Sequence, residues 1–174
     1  MEVSPWFERK FDFSFPVELH PNPCARLRGT PARLEELFRG RPGESLIRKP
    51  RSAEKEKWSA LEHAGHLLDL EPLWLARVED YVNGAAQLTA TDLQNRKTDE
   101  ANYNSQAPEK ILADFRRTRE KLLNRVEMQP PLFSRSIPHP RLKVPMRLVD
   151  HLFFVAEHDD HHLARIWQLI YTQE

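Results

Sequence analysis

The chain has 174 residues, enough for one domain with a sizeable core. Its 26 basic and 26 acidic residues cancel, so it lacks the basic excess that phosphate binding leaves, and nucleic acid is not an expected partner. Cys24 is the single cysteine; an intrachain disulfide is impossible, which fits a reducing compartment. The opening Met1 to Trp6 lacks the basic start and apolar run of a signal peptide. No apolar stretch approaches the ~20 residues of a membrane span. We therefore expect a cytoplasmic protein with no membrane partner.

Residues 1–21 are expected to form an N-terminal arm, and residues 22–174 a single helical domain. In the arm, Trp6-Phe7 and Phe11-Asp12-Phe13-Ser14-Phe15 alternate as a short strand does. A lone strand has no pairing partner, so these aromatics should pack on the domain; they could equally meet a second subunit. The first helix is expected over 22–39, with Leu27, Leu34, Leu37 and Phe38 on one face and Gly40 as its stop. Thr30-Pro31 either caps a new helix there or kinks a continuing one. Arg39, Arg41, Arg48, Lys49, Arg51, Lys55 and Lys57 then make a basic, Pro- and Gly-containing stretch that we take as solvated surface.

Ser59 is the natural N-cap of the second helix, with Glu62 three residues later completing a capping box. Leu67, Leu70, Trp74, Val78 and Tyr81 form its inward stripe, Pro72 should bend it, and Asn83-Gly84 end it. A polar stretch, Gly84 to Gln106, follows, in which Glu100 to Asn104 is either the rim of a pocket or plain loop. The third helix runs from Pro108 to about Met128 and buries Ile111, Leu112, Phe115, Leu122 and Val126. Ser134 to Arg141 should be a loop or short extended piece over one end of the molecule. The last helix, over 146–171, carries Leu148, Leu152, Val155, Ile166 and Leu169. Four long helices without a series of strands predict an all-α fold, a four-helix bundle.

The fourth helix also carries His158 and His162. Positions four apart on a helix share a face, so the two imidazoles can point at one metal ion. His63 and His66 on the second helix are candidates for a third ligand. His161 rivals His162, but helical phase favours His162, seven residues after Val155 and four before Ile166. His20, His139 and His151 have no partner spacing and are expected in loops or at the surface. Neutral imidazole suits zinc, nickel, copper or iron, and three protein nitrogens leave a position for water or substrate. The pattern is poor for a metalloprotease, because Asp159 is a methylene shorter than the required glutamate and only 12 residues follow His162. Glu62 and Glu157 precede histidines at spacings a di-iron bundle does not use. Asp69, Glu157 and Asp159 are either partners that orient imidazoles or helix-surface charges.

Three segments together resemble the DinB-like (YfiT-like) superfamily of metal-dependent enzymes. They are Leu27-Arg28-Gly29-Thr30-Pro31 with the residues to Glu36, Trp58 to Asp69 with Glu62-His63-Ala64-Gly65-His66 at its centre, and Phe154 to Ile166. The resemblance implies an up-down four-helix bundle, often dimeric, in which one histidine of the second helix and a His-x-x-x-His pair of the fourth bind a divalent metal. Carried over, those ligands are His66, His158 and His162. It further implies chemistry of the kind relatives perform, thiol-dependent S-transfer or isomerisation with bacillithiol, mycothiol or glutathione. The expected protein is a metal-dependent enzyme with a small-molecule substrate, whose zinc or nickel activates a low-molecular-weight thiol or water against a small electrophile, as an S-transferase or hydrolase. The resemblance implies a homodimer as well. The alternative is a non-enzymatic metal-binding or dimerising bundle. Cys24, in a Pro-flanked segment, is expected to be incidental.

Overall fold

The computed structural model describes residues 3–50 and 58–171; Arg51, Lys55 and Lys57 of the basic stretch lie outside them. Four long helices, α1 (Pro21–Phe38), α3 (Ala60–Asn83), α5 (Pro108–Glu127) and α6 (Leu148–Tyr171), form the bundle. Two short helices, α2 (Gly43–Ile47) and α4 (Arg96–Glu100), and a two-stranded antiparallel hairpin, β1 (Ser136–Pro138) with β2 (Pro145–Arg147), complete it. Around the bundle the order is α1, α6, α3, α5. The first and second long helices therefore occupy opposite corners, as do the third and fourth.

Local chemistry accounts for the helix boundaries. Ser59 Oγ accepts from the Glu62 N–H at 3.1 Å while Glu62 Oε2 accepts from the Ser59 N–H at 2.8 Å, which is the expected capping box. At the other end of α3, Gly84 adopts the left-handed conformation at φ 66°, where a glycine costs nothing. Helix α1 continues through Thr30-Pro31, so the kink-or-cap question resolves as one helix. Proline has no N–H to give the carbonyl four residues back. That carbonyl, on Leu27, instead accepts from Arg119 of α5 at 3.2 Å.

The apolar interior is in two clusters. Cys24, Leu27, Trp74, Val78, Leu122, Val126, Leu152 and Val155 belong to one; Leu34, Ala64, Leu67, Ile111, Phe115, Leu163 and Ile166 belong to the other. Each long helix passes from one cluster to the other through polar residues: Thr30, Glu71, Arg119, and His158 to His162. The centre of this polar waist is a buried ion network. Arg119 donates to Glu71 Oε1 at 2.6 Å and to Asp159 Oδ2 at 2.5 Å, and the Thr30 hydroxyl donates to Asp159 Oδ2 at 2.7 Å. One guanidinium thus ties all four helices, through side chains on α3 and α6 and the Leu27 carbonyl on α1. Asp159 accordingly orients no imidazole and carries no surface charge.

The N-terminal arm packs on the bundle, as its aromatics predict. Trp6 is buried with its ring 5.2 Å from Phe154 and 4.9 Å from His158. Arg147 holds the arm by donating to the carbonyls of Phe13 and Phe15 at 2.9 and 2.8 Å. The segment after the third helix contains the hairpin, so α6 begins at Leu148, two residues later than expected. The polar stretch before α5 holds α4 and a 3-10 turn, Tyr103–Ser105, docked on α3. Its anchor is Tyr103, packed so closely on Gly65 that a Cβ there would lie 2.2 Å from the ring.

Candidate metal centre

His158 and His162 project from one face of α6 and His66 from α3, all three buried. One ring nitrogen from each lies within 4.8 Å of the others. His158 Nε2 and His162 Nε2 are 3.1 Å apart. Burial, reinforced by the neighbouring histidines, holds both imidazoles well below the ordinary histidine range. They are neutral at physiological pH, the state in which imidazole can donate a lone pair to a cation.

A chain of hydrogen bonds orients His66. The Thr98 hydroxyl donates to Asp69 Oδ2 at 3.0 Å, and the His66 Nδ1 is 3.1 Å from the same hydroxyl oxygen. An ionised carboxylate only accepts, so Thr98 must spend its proton on Asp69 and accept from His66 Nδ1–H. The other nitrogen, His66 Nε2, is then the one with a lone pair. Asp69 is fixed in turn by Lys97 Nζ at 3.2 Å. Burial, and then contact with Asp69, push the Tyr103 phenol above its usual range. Of the three carboxylates singled out from the sequence, Asp69 is the one connected, through Thr98, to an imidazole of the His66, His158 and His162 group. Glu157 lies at the outer side of α6, paired with Arg26 at 2.7 Å.

His63 sits behind this group. Its Nδ1 is 2.8 Å from His162 Nδ1, so with the His162 lone pair on Nε2, His162 Nδ1–H donates to His63. His161 turns aside, with Nδ1 3.3 Å from an Arg9 guanidinium nitrogen. His139 lies in the loop of the hairpin, as expected, but is buried there, whereas His151, expected in a loop or at the surface, is buried within α6. His151 lies in the core, its ring 5.7 Å from Trp74 and 6.1 Å from Tyr81. Its position seven residues before His158, on the same helical face, was the signal available for its burial. His20 stacks on Phe133 at 4.1 Å.

A cleft of about 190 Å³ opens onto His66, between α3 at Asp69, Leu70 and Leu73 and the segment holding Thr91, Asp92, Lys97 and Thr98. Sequence periodicity identified neither Thr98 nor Lys97, because a polar connection has no buried stripe to mark the residue that turns inward. Among the described residues, no helix is long and apolar enough to cross a membrane.

Residues 26–166 match a family model described as the DinB superfamily. Among solved structures, the chain is similar to YfiT from Bacillus subtilis, described as a probable metal-dependent hydrolase with an unusual four-helix bundle topology. The two are 20% identical, the match covers 93% of this chain and 91% of that one, and the TM-score is 0.75. At that identity the likeness shows the shared fold. No curated protein matches the chain.

Proposed function

This chain belongs to the DinB superfamily, and from that premise we propose that it is a metal-dependent enzyme acting on a small molecule, with His66, His158 and His162 holding one divalent cation, zinc or nickel. The observation that carries this reading is the trio of buried nitrogens within 4.8 Å of one another. The donor set fits such a cation: neutral imidazoles suit zinc and nickel, and three of them leave room for another ligand. The hydrogen-bonded chain through Thr98 and Asp69 is the kind of support that fixes a ligand's tautomer and orientation. A cation held there supplies Lewis acidity, making a bound water or thiol more acidic near neutral pH.

We read the reaction as attack by water or by an added thiol, hydrolysis or S-transfer, and the state of the protein's own thiol supports the thiol being an added one. Cys24 is buried in the other part of the core, and burial pushes its thiol up to about 11. It supplies no thiolate, so any thiol is a low-molecular-weight co-substrate. The cleft beside His66 offers an approach for a small substrate, with Asp92 and Lys97 on its wall.

The test is metal analysis of the purified protein followed by chelation. About one equivalent of zinc or nickel and a lower melting temperature after chelation are expected. His158→Ala should abolish binding. Absence of metal from wild type, even after incubation with zinc and nickel, would overturn the reading; retained binding in His158→Ala would overturn the ligand assignment. A screen of electrophiles with and without added thiols then separates transferase from hydrolase. A second reading, a dimerising bundle without catalysis, is favoured by one observation: Trp167 and Tyr171 stack at 5.5 Å on α6 while about half exposed, 49% and 46%. Sedimentation of wild type and Trp167→Ala tests the homodimer directly, a monomeric wild type counting against it.

A further inference from the structure

The two arginines most deeply buried in the bundle are treated oppositely. Arg119 is held by two carboxylates. Arg77 of α3 is equally buried, at 1% exposure, yet forms no ion pair among the described residues. Its Nε donates to the Thr89 carbonyl at 2.8 Å, and one terminal nitrogen lies 3.2 Å from His139 Nε2. Asp80, whose charge acts on Arg77, accepts from the Thr89 N–H at 2.6 Å. Burial lowers the Arg77 guanidinium to about 10, which leaves it charged at neutrality.

His139 sharpens the mismatch. Its Nδ1 accepts from the backbone N–H groups of Arg141 and Leu142, at 3.2 and 3.1 Å. Burial, and then Arg77 and Arg141, push this imidazole down to about 3, so it is neutral. A neutral ring that accepts at Nδ1 carries its proton on Nε2, and that N–H faces the N–H of Arg77. Three further buried groups nearby have no hydrogen-bond partner: Trp74 Nε1, one terminal nitrogen of Arg141, and both ring nitrogens of His151. They form one neighbourhood. The Trp74 ring lies 5.3 Å from the Arg77 guanidinium and 5.7 Å from His151, while His139 and Arg141 both pack on Phe154, at 5.4 and 5.9 Å.

Apart from the lone pair that neutral His151 keeps on one of its nitrogens, these partnerless groups are donors. Folded proteins leave few buried polar groups unsatisfied, and a group of them in one place calls for a specific cause. Water could satisfy single N–H groups but leaves two guanidinium charges uncompensated, whereas an oxyanion does both. The cluster is also linked to the three histidines: Trp74 lies 5.8 Å from His158, whose Nδ1 is likewise buried without a partner. Arg141, half-buried with its guanidinium 5.3 Å from the Phe7 ring, brings the cluster nearest to the surface.

We propose that Arg77, Arg141, His139, His151 and Trp74 form an anion site for a carboxylate, and that the small molecule acted on by this protein, or its thiol co-substrate, is carboxylate-bearing. The second clause rests on the metal-enzyme reading; the anion site does not. The experiment follows the four tryptophan indole N–H signals of nitrogen-15-labelled protein, metal-free and zinc-loaded, during titration with acetate against sodium chloride at constant ionic strength. The Trp74 signal is assigned by its loss in Trp74→Phe. It should shift saturably with acetate in both forms, and the midpoint should rise at least about tenfold in Arg141→Gln and in Arg77→Lys. Arg141→Gln alters the half-buried member, so a well-dispersed spectrum keeps the test valid if Arg77→Lys fails to fold. No saturable shift, an equal response to chloride, or an unchanged midpoint in Arg141→Gln would overturn the site. A response to inorganic phosphate but not to acetate would overturn the carboxylate assignment. Zinc binding without an acetate response refutes the anion site alone; an acetate response without zinc binding refutes the metal reading alone.

Discussion

Thr98→Val isolates the support of His66 with little change of shape, since valine replaces the hydroxyl by a methyl group. In the wild type the hydroxyl accepts from His66 Nδ1 at 3.1 Å and donates to Asp69 at 3.0 Å. The variant removes the acceptor that Thr98 offers to the His66 Nδ1–H and weakens the hold on the ring's orientation and tautomer. Asp69 keeps Lys97, so the carboxylate itself stays paired. Loss of such a partner lowers metal affinity about 10–100-fold, or about 1.4–2.8 kcal/mol. Loss of this hydrogen bond should also cost the metal-free protein about 0.5–1.5 kcal/mol in folding stability. The two effects are measured separately, the first by competition with a chromophoric zinc chelator at fixed pH, the second by urea unfolding in chelator. Thr98→Ser keeps the hydroxyl and should restore most of the affinity. Zinc binding as tight in Thr98→Val as in wild type, or as weak in Thr98→Ser as in Thr98→Val, would refute the derived orientation of His66.

Three other predictions concern the fold around the site. Arg119→Met strands two buried carboxylates, Glu71 and Asp159, and should cost about 3–5 kcal/mol in urea unfolding at pH 7; a loss below about 1 kcal/mol would mean the network contributes no more than a surface pair. Gly65→Ala forces a methyl group onto the Tyr103 ring and should cost about 1–3 kcal/mol, with much of it recovered when Tyr103→Ala is added; an additive double variant would place the strain elsewhere. Stability of the metal-free protein should fall as pH drops. His139, His151, His158 and His162 are all depressed in the folded state, so below the unfolded value near 6.5 the unfolded chain binds protons that the folded chain refuses. The stabilisation is present above about pH 6.5 and declines below it, for His139 down towards about 3, with a slope of up to about 1.4 kcal/mol per pH unit for each such histidine. Unfolding free energies that are flat between pH 7 and 5 would contradict this.

The long helices were legible because their signals are local. A capping box such as Ser59 with Glu62, a left-handed stop at Gly84 and apolar residues three and four apart each depend on a few neighbouring residues. The spacing of His158 and His162 is local in the same sense, and their shared face follows from helix geometry alone. Preference for His162 over His161 came from phase against Val155 and Ile166; in the structure it is His162 that lies close to His66 and His158.

Contacts between distant segments were not legible. Nothing in the polar stretch distinguishes Thr98 from its neighbours until Tyr103 docks on Gly65 and turns the segment towards Asp69. Nor does spacing distinguish a surface histidine from His139, which is buried by a hairpin brought against α3. Asp159, which in sequence is either an imidazole's companion or a helix-surface charge, is instead the partner of Arg119, 40 residues away. Sequence by itself determined the helices, their inward faces and the pair of imidazoles on α6, because those depend on the period of one backbone. Only the tertiary structure decided which histidine completes the group, what orients it, and which buried charges are left without a counterion, because those depend on how four separate helices meet.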